Sequence, residues 1–231
     1  MKIAIIGNGK MGKAVAELAQ ERGHILHTVV RHAENVDGQA LTEERLRGVD
    51  VAVEFTRPDS VVGNLERLSA LGIPTVTGTT GWEDELAQVS HWFQQRRGAL
   101  LHGANFAVGV HLLLRAAREL ARGFRARPEF SGSIEEEHHQ SKLDAPSGTA
   151  LVLQRQLRAE DPSRNIPISS LRRGDAVGTH TLTYQSPHET VTLRHAAQSR
   201  EVFAAGALAA AEWLPGHQGV FTFEQMLFGP S

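Results

Sequence analysis

Short apolar runs alternate with amphipathic segments along the first hundred residues. Residues 3–6 form an apolar run, and the segment Lys10 to Arg22 then carries apolar residues at helical spacing until Gly23. Further strand-like runs lie at 25–30, 51–55, 75–77 and 99–101, and helical patterns lie between them near 59–71 and 83–95. Strands and helices that alternate at this spacing predict an α/β fold with a Rossmann-type, doubly wound parallel sheet.

The pattern changes after a helical segment at about 108–121. Strand-like runs in which apolar and polar residues alternate lie at 130–137, 177–184 and 189–196. One helix, at about 149–157, interrupts them, which is typical of a second α+β domain built on a mostly antiparallel sheet. We expect the most polar stretch, residues 158–165, to form a surface loop.

A last apolar helix at 202–214 and a short strand at 220–223 are expected to return to the first domain. The predicted domains are therefore a dinucleotide-binding domain of residues 1–106 plus 201–231, and a substrate-binding and oligomerisation domain of residues 107–200.

Composition excludes several classes of protein. The 231 residues include 24 basic and 26 acidic side chains, so a net charge of −2 gives no reason to expect nucleic acid as a partner. The first apolar run has four residues, too few for a signal sequence or a membrane span. The absence of cysteine excludes disulfides, thiolate metal sites and a thiol nucleophile, and suits the cytoplasm, which is the expected location.

Gly7-Asn8-Gly9-Lys10-Met11-Gly12 is a GxGxxG motif between the first predicted strand and the first predicted helix. In a dinucleotide site the first glycine permits a tight turn, the second lets the backbone approach the pyrophosphate, and the third lets helix pack on strand. An ordinary glycine-rich turn is the alternative, but the strand and helix on either side favour dinucleotide binding.

Arg31 lies at the end of the second predicted strand, where an NAD site usually carries an acidic residue for the ribose 2′-hydroxyl. A guanidinium there could pair with a 2′-phosphate, which favours NADPH or the use of both cofactors, unless Arg31 is simply a surface residue. Residues 78–81 and 103–106 follow the fourth and fifth strands, so both loops could line the nicotinamide crevice or be ordinary turns.

Residues 134–150, IEEEHHQSKLDAPSGTA, concentrate the groups most able to do chemistry. His138, His139 and Lys142 can all be cationic, so they could bind acidic groups or deliver a proton. Ser147 and Thr149 flank a helix start whose free N–H groups could hold a carboxylate. A metal site is disfavoured because the HExxH motif and cysteines are absent and because consecutive glutamates on a strand point to opposite faces. The other alternative to a reactive site is that these residues form an ordinary solvated strand surface.

This segment closely resembles the signature of the dihydrodipicolinate reductases of bacterial lysine and diaminopimelate biosynthesis. The resemblance covers essentially the whole chain and extends to Gly7–Gly12, Glu54-Phe55-Thr56-Arg57-Pro58, Gly78-Thr79-Thr80-Gly81, Asn105-Phe106 and Gly178-Thr179-His180. It implies reduction of 4-hydroxy-tetrahydrodipicolinate, with loss of water, by NADPH or NADH. It also implies a homotetramer that binds a small dicarboxylate. From the residues themselves we expect no metal.

At the positions that match the family motif, the resemblance implies that His138 donates or accepts a proton and that Lys142 donates one. His139, Ser147, Gly148 and Thr149 would bind substrate. The residues that would bind the cofactor are Gly7, Asn8, Gly9, Lys10, Met11, Gly12, Arg31, Phe55, Gly78, Thr79, Thr80, Gly103, Ala104, Asn105 and Phe106.

Two positions depart from the family pattern. Arg31 stands where the family often has an acidic residue, and Ala107 where serine is common. Two other functions remain open from the sequence: a nucleotide-binding sensor without turnover, and a Rossmann dehydrogenase acting on an amino-acid semialdehyde, which would lack the thiol nucleophile that such chemistry often uses.

Overall fold

The computed structural model describes residues 1–229, apart from the side chain of Asp37. The chain divides into two compact units, Met1–Ala107 with the chain from Glu201 onward, and Val108–Arg200. Each unit has its own β-sheet. None of the helices within residues 1–229 is long and apolar enough to span a membrane.

The first unit is a parallel sheet with helices. Its strands are β1 (Lys2–Ile6), β2 (Ile25–Val30), β3 (Val51–Glu54), β4 (Thr75–Thr77), β5 (Ala99–His102) and β10 (Gly219–Thr222). Its α-helices are α1 (Lys10–Glu21), α2 (Glu43–Leu46), α3 (Pro58–Ala70), α4 (Leu86–Gln95), α7 (Glu201–Trp213) and α8 (Phe223–Phe228). The strand order is β10-β5-β4-β3-β1-β2, and every neighbouring pair is parallel. The predicted Rossmann-type architecture is confirmed.

The apolar run of β1 is continuous because both faces of the strand are buried. Ile3 and Ile5 pack into one hydrophobic cluster, whereas Ala4 and Ile6 pack into another. All four side chains are completely buried. This two-sided burial is what helices on both faces of a parallel sheet require.

The carboxyl ends of four parallel strands lie at one edge of this sheet. Ile6 is paired with Glu54, Glu54 with Thr77, and Thr77 with His102. The loops that follow these residues therefore start side by side. In open α/β sheets this edge is where ligands bind.

The second unit contains β6 (Ser131–His138), β7 (Ile168–Arg172), β8 (Gly178–Gln185) and β9 (Thr190–Ala197), with helices α5 (Val108–Phe124) and α6 (Gly148–Glu160). The strand order is β7-β6-β8-β9. The pairs β6–β8 and β8–β9 are antiparallel, whereas β6–β7 is parallel. The predicted α+β unit with a mostly antiparallel sheet is confirmed.

Four local features differ from the expectations. The short elements α2, β7 and α8 were not predicted, because each has at most six residues and no clear apolar period. Residues 158–165 are not simply a surface loop. Residues 158–160 complete α6, and the Asp161 side chain is fully buried, where its carboxylate pairs with Arg164 Nε at 2.8 Å.

Candidate active site

The glycine turn between β1 and α1 is built by close backbone approaches. Gly7 has a φ of +103°, and a Cβ there would lie 2.0 Å from the carbonyl oxygen of Phe55. A Cβ on Gly12 would lie 1.9 Å from the carbonyl oxygen of Gly7. Gly9 caps α1, and no atom lies within 4 Å of the place where its Cβ would be. The turn therefore leaves open space beside the free N–H groups of a helix N-terminus, as a pyrophosphate requires.

A cavity of about 390 Å³ opens beside this turn. It is lined by residues 9–11, Phe55, Thr56, Pro58 and residues 78–80. Gly7, Asn8 and Gly12 form the rest of the turn behind it. Seven of the residues that the sequence assigns to cofactor binding thus share one cavity.

The loop after β5 contains the other predicted cofactor residues. Gly103 and Ala104 line a smaller cavity of about 50 Å³, together with Thr79 and Thr80. Asn105 turns its side chain back on the loop, where its Oδ1 accepts from the Ala107 N–H at 2.8 Å. Phe106 is only 2% exposed, so it lies in the hydrophobic core.

Arg31 follows β2, and its side chain is exposed. Its backbone N–H donates to Glu34 Oε1 at 2.7 Å, and the same carboxylate oxygen accepts from Arg45 at 3.0 Å. These hydrogen bonds, from the Arg31 backbone first and then from Arg45, hold the pKa of Glu34 below its ordinary value. Glu34 is the acidic side chain nearest to Arg31 in sequence, and these hydrogen bonds already pair it within the loop.

Glu54 is a completely buried carboxylate at the end of β3. Its Oε2 accepts from Thr77 at 2.6 Å and from Thr79 at 2.8 Å, and its Oε1 accepts from Thr56 and Asn64. Burial raises the pKa of Glu54, although the hydrogen bonds oppose that rise. Thr56 follows β3 and Thr79 follows β4, and both line the larger cavity. Glu54 therefore links the two loops through hydrogen bonds to these threonines. The sequence reasoning gave Glu54 no role.

In the second unit, β6 carries Glu136 and His138 on its buried face. Glu136 is 0% exposed, and its Oε2 is in close contact with His138 Nδ1. Its Oε1 accepts from Arg172 at 2.9 Å. Arg172 lies beside His138 because β7 pairs with β6 in parallel register. The sequence reasoning did not identify Arg172 or the role of Glu136.

Burial and neighbouring charged groups shift the pKa values of Glu136 and His138. Burial acts to raise the pKa of Glu136, but hydrogen bonds from Ser170 and Arg172 and the charges of His138 and Arg172 hold it below its ordinary value. Burial is also the main cause that lowers the pKa of His138, which Glu136 opposes. Glu136 is therefore the ionised partner of the pair, and His138 gains a proton less readily than a free histidine.

His180 on β8 connects His138 to the start of α6. Its ring centroid lies 5.2 Å from that of His138, and its Nε2 lies 3.1 Å from Ser147 Oγ. Burial lowers the pKa of His180 to about 4. Ser147 caps α6 by accepting from the Ala150 N–H at 3.3 Å. Gly148 follows at the exposed first turn, where no atom lies within 4 Å of its potential Cβ.

The segment between β6 and α6 holds Lys142, and Arg172 fixes its backbone. Arg172 donates to the carbonyl oxygens of Lys142 at 3.3 Å and Asp144 at 2.5 Å. The Lys142 ammonium pairs with Asp144 Oδ1 at 2.7 Å. Lys142 is close enough to His138 for its charge to lower the pKa of His138.

His139 points elsewhere. Its Nδ1 lies 2.8 Å from Ser141 Oγ, and its side chain lines a cavity of about 450 Å³ with Gly174, Asp175 and Arg200. The structure therefore gathers His138, Lys142 and Ser147 around Glu136, His180 and Arg172. Thr149 lies in the first turn of α6, and His139 lies on a neighbouring surface.

Glu136, His138 and His180 could also hold a metal ion, since their ligand atoms all lie within 4.8 Å of one another. Arg172 already occupies one oxygen of Glu136, and the charge of Lys142 acts on the same site. Both cations disfavour a third. That the protein needs no metal stays a prediction.

A glycine turn of the dinucleotide-binding type in one unit and side chains able to transfer protons in the other are what a nicotinamide-dependent oxidoreductase needs, and the chain belongs to this class. Family models identify it further. Residues 1–106 match the N-terminal domain and residues 109–227 the C-terminal domain of dihydrodipicolinate reductase. The chain belongs to the dihydrodipicolinate reductase family.

Individual relatives agree along the full length. The chain is 33% identical over 238 residues to a 4-hydroxy-tetrahydrodipicolinate reductase of Christiangramia forsetii, covering 98% of both chains. It is 34% identical over 265 residues to one of Thiobacillus denitrificans, again covering 98% of both. A dipicolinate-bound dihydrodipicolinate reductase from Paenisporosarcina has the same fold, with a TM-score of 0.83, 23% identity and coverage of 98% and 99%.

Proposed function

We propose that this protein reduces 4-hydroxy-tetrahydrodipicolinate to tetrahydrodipicolinate with NAD(P)H, in the diaminopimelate route to lysine. In the balanced reaction, substrate, NAD(P)H and one proton give tetrahydrodipicolinate, NAD(P)⁺ and water. The observation that carries the proposal is the buried group in which Glu136, Arg172 and His180 surround His138, Lys142 and the start of α6.

The first unit would bind the cofactor. Gly7–Gly12 with Phe55, Thr79 and Thr80 would hold it, because the turn offers free N–H groups and the cavity beside it is open. When bound, NAD(P)H supplies a hydride to a carbon conjugated with the C=N bond of the substrate. Arg31 could pair with a 2′-phosphate, so we propose that NADPH is accepted as well as NADH.

The second unit would hold the substrate and move protons. Negative charge builds toward the substrate nitrogen as hydride arrives, and a nearby acid must neutralise it. We assign Lys142 as the proton donor and His138 as the group that donates or accepts a proton. Lys142 would exchange its partner Asp144 for substrate.

Two substrate carboxylates need two anchors. The backbone N–H groups of Gly148 and Thr149, with the Ser147 hydroxyl, would hold one carboxylate at the start of α6. His139 and Lys142 would attract the other. The Paenisporosarcina reductase has dipicolinate bound, and dipicolinate is a dicarboxylate of the same chemical class as the proposed substrate.

We also propose a cytoplasmic homotetramer assembled through the second sheet. The face of this sheet that β6 presents away from its buried side chains carries Ser133 and Glu135. Across the register, Glu135 is paired with Thr181, and Thr181 with Arg194. A polar face that carries both charge signs is suited to pairing with a second copy of itself. Size-exclusion chromatography with light scattering tests the assembly state.

The enzyme assignment is tested by following NAD(P)H at its standard absorbance with substrate generated in the reaction. We expect wild-type turnover, and for His138→Ala and Lys142→Ala a loss of kcat of about 10²-fold or more, the usual contribution of a general acid or base. Both variants should remain folded and bind cofactor. Cofactor binding without any turnover by the wild type would instead support a nucleotide sensor.

A further inference from the structure

Three consecutive glutamates on β6 have different surroundings. Glu135 is exposed, Glu137 is partly buried, and Glu136 between them is completely buried. Alternation along a strand explains why only the middle side chain points to the same face as His138. A buried carboxylate is costly unless it is paired, so its position needs a reason.

The Glu136 carboxylate is held at both oxygens. Oε1 accepts from Arg172, which is itself fixed by the carbonyl oxygens of Leu171, Lys142 and Asp144. Oε2 contacts His138 Nδ1. A carboxylate can only accept hydrogen bonds, so a hydrogen bond across this contact requires the hydrogen on Nδ1. Neither atom has another hydrogen-bond partner among the described residues.

We propose that Glu136 is a positioning residue that keeps the proton of neutral His138 on Nδ1 and fixes the orientation of its ring. Nε2 is then the atom that exchanges a proton with substrate. This inference rests on the proposed role of His138. It adds a residue for which neither the motif nor the charge pattern had given a function.

The surroundings of Nε2 agree with this role. A Cβ on Gly178 of β8 would lie 2.9 Å from Nε2, closer than real Cβ atoms approach a neighbour, so only a residue without a side chain fits beside this edge of the ring. The other charged or titratable groups that act on His138 are His180 on β8, Arg172 on β7 and Lys142. Glu136 is the anion of this group.

The test compares Glu136→Gln with Glu129→Gln, a matched neutralisation of an exposed carboxylate in the turn before β6. We expect Glu136→Gln to lower kcat by about 10²- to 10⁴-fold, the range seen when a histidine loses its orienting carboxylate, with little change in KM. Removal of the negative charge should also move the pH–rate limb that reports His138 to lower pH. Glu129→Gln should stay within about twofold of the wild type.

A second measurement can overturn the proposal on the wild-type protein alone. Nitrogen NMR of histidine side chains in the wild-type protein reports which ring nitrogen carries hydrogen, and the His138→Asn spectrum identifies the signal of His138 among twelve histidines. We expect the Nδ1–H form in the wild type and a shift toward Nε2–H in Glu136→Gln. An Nε2–H signal in the wild type would overturn the proposal, whether or not the variant folds.

The outcomes separate this inference from the proposed function. If His138→Ala is inactive while Glu136→Gln keeps the wild-type kcat and pH profile, only the positioning role of Glu136 fails. If His138→Ala keeps full activity, the assignment of His138 fails, and the role of Glu136 fails with it.

Discussion

Gly206 lies in the middle of α7, where the helix passes against the loop after β5. A Cβ at this position would lie 1.8 Å from the carbonyl oxygen of Phe106, whereas real Cβ atoms essentially never come within 3.0 Å of a neighbour. In Gly206→Ala the backbone of one segment must therefore move by more than about 1 Å. The neighbouring atom belongs to the backbone, so no side-chain rotation relieves the contact.

The magnitude follows from two opposing effects. Overpacking of this kind costs about 3 kcal/mol, at the upper end of the usual range, because backbone must shift. Alanine is favoured over glycine inside a helix by about 1 kcal/mol. We therefore expect Gly206→Ala to lower the free energy of unfolding by about 2 kcal/mol, which corresponds to a fall in Tm of about 4–8 °C for a chain of this size.

Gly63 provides the matched control. It also lies in the middle of a helix, α3, but is exposed, with no atom within 4 Å of its potential Cβ. Gly63→Ala should raise the free energy of unfolding by about 1 kcal/mol. Both variants are measured by chemical and thermal unfolding, with NAD(P)H affinity as a second readout, since the loop before Phe106 is proposed to bind cofactor. Gly206→Ala as stable as Gly63→Ala would refute the packing argument.

Three further changes test the two candidate sites, one in each unit. Thr77→Val removes the 2.6 Å hydrogen bond to Glu54 and should weaken NAD(P)H binding severalfold. Thr75 lies on the same buried strand but donates to the carbonyl oxygen of Ile73, so Thr75→Val should leave NAD(P)H affinity unchanged. Equal NAD(P)H affinities in the two variants would contradict this prediction. Gly178→Ala should crowd His138 Nε2 and lower kcat at least tenfold while cofactor affinity is unchanged, and wild-type kcat would count against the orientation of that ring. Because burial raises the pKa of Glu54, the folded state holds the Glu54 proton more tightly than the unfolded state does. The stability that this proton contributes is therefore lost as pH rises above about 4.5. Over that pH window the free energy of unfolding, measured with urea, should fall less for Glu54→Gln than for the wild type.

Much of the first unit could be predicted from sequence because its signals are local. The buried run before Gly7, the helix that stops before Gly23 and the spacing of the strands each depend on neighbouring residues. The alternation in β6 likewise places Glu136 and His138 on one face. That alternation is enough to predict that Glu136 and His138 are neighbours on one face of the strand. In the sequence-based prediction, however, the three glutamates served only to judge a metal site.

Arg172 could not be found in this way. It lies 36 residues from Glu136 in sequence, on a five-residue strand that is only partly buried and has no distinct pattern. Its role depends on the parallel register that places it beside His138. Glu54 was missed for a similar reason, since the hydroxyl groups that surround it come from the ends of two different strands.

Direct observation of hydride transfer is the most decisive measurement for the proposed function. The protein would be incubated with 4-hydroxy-tetrahydrodipicolinate generated in the reaction and with NADH or NADPH carrying deuterium at the transferable position. We expect mass spectrometry to find tetrahydrodipicolinate with one deuterium per molecule, at a rate that falls by about 10²-fold or more in Lys142→Ala. Unlabelled product, or no product from a folded protein that binds the cofactor, would contradict the proposed reaction.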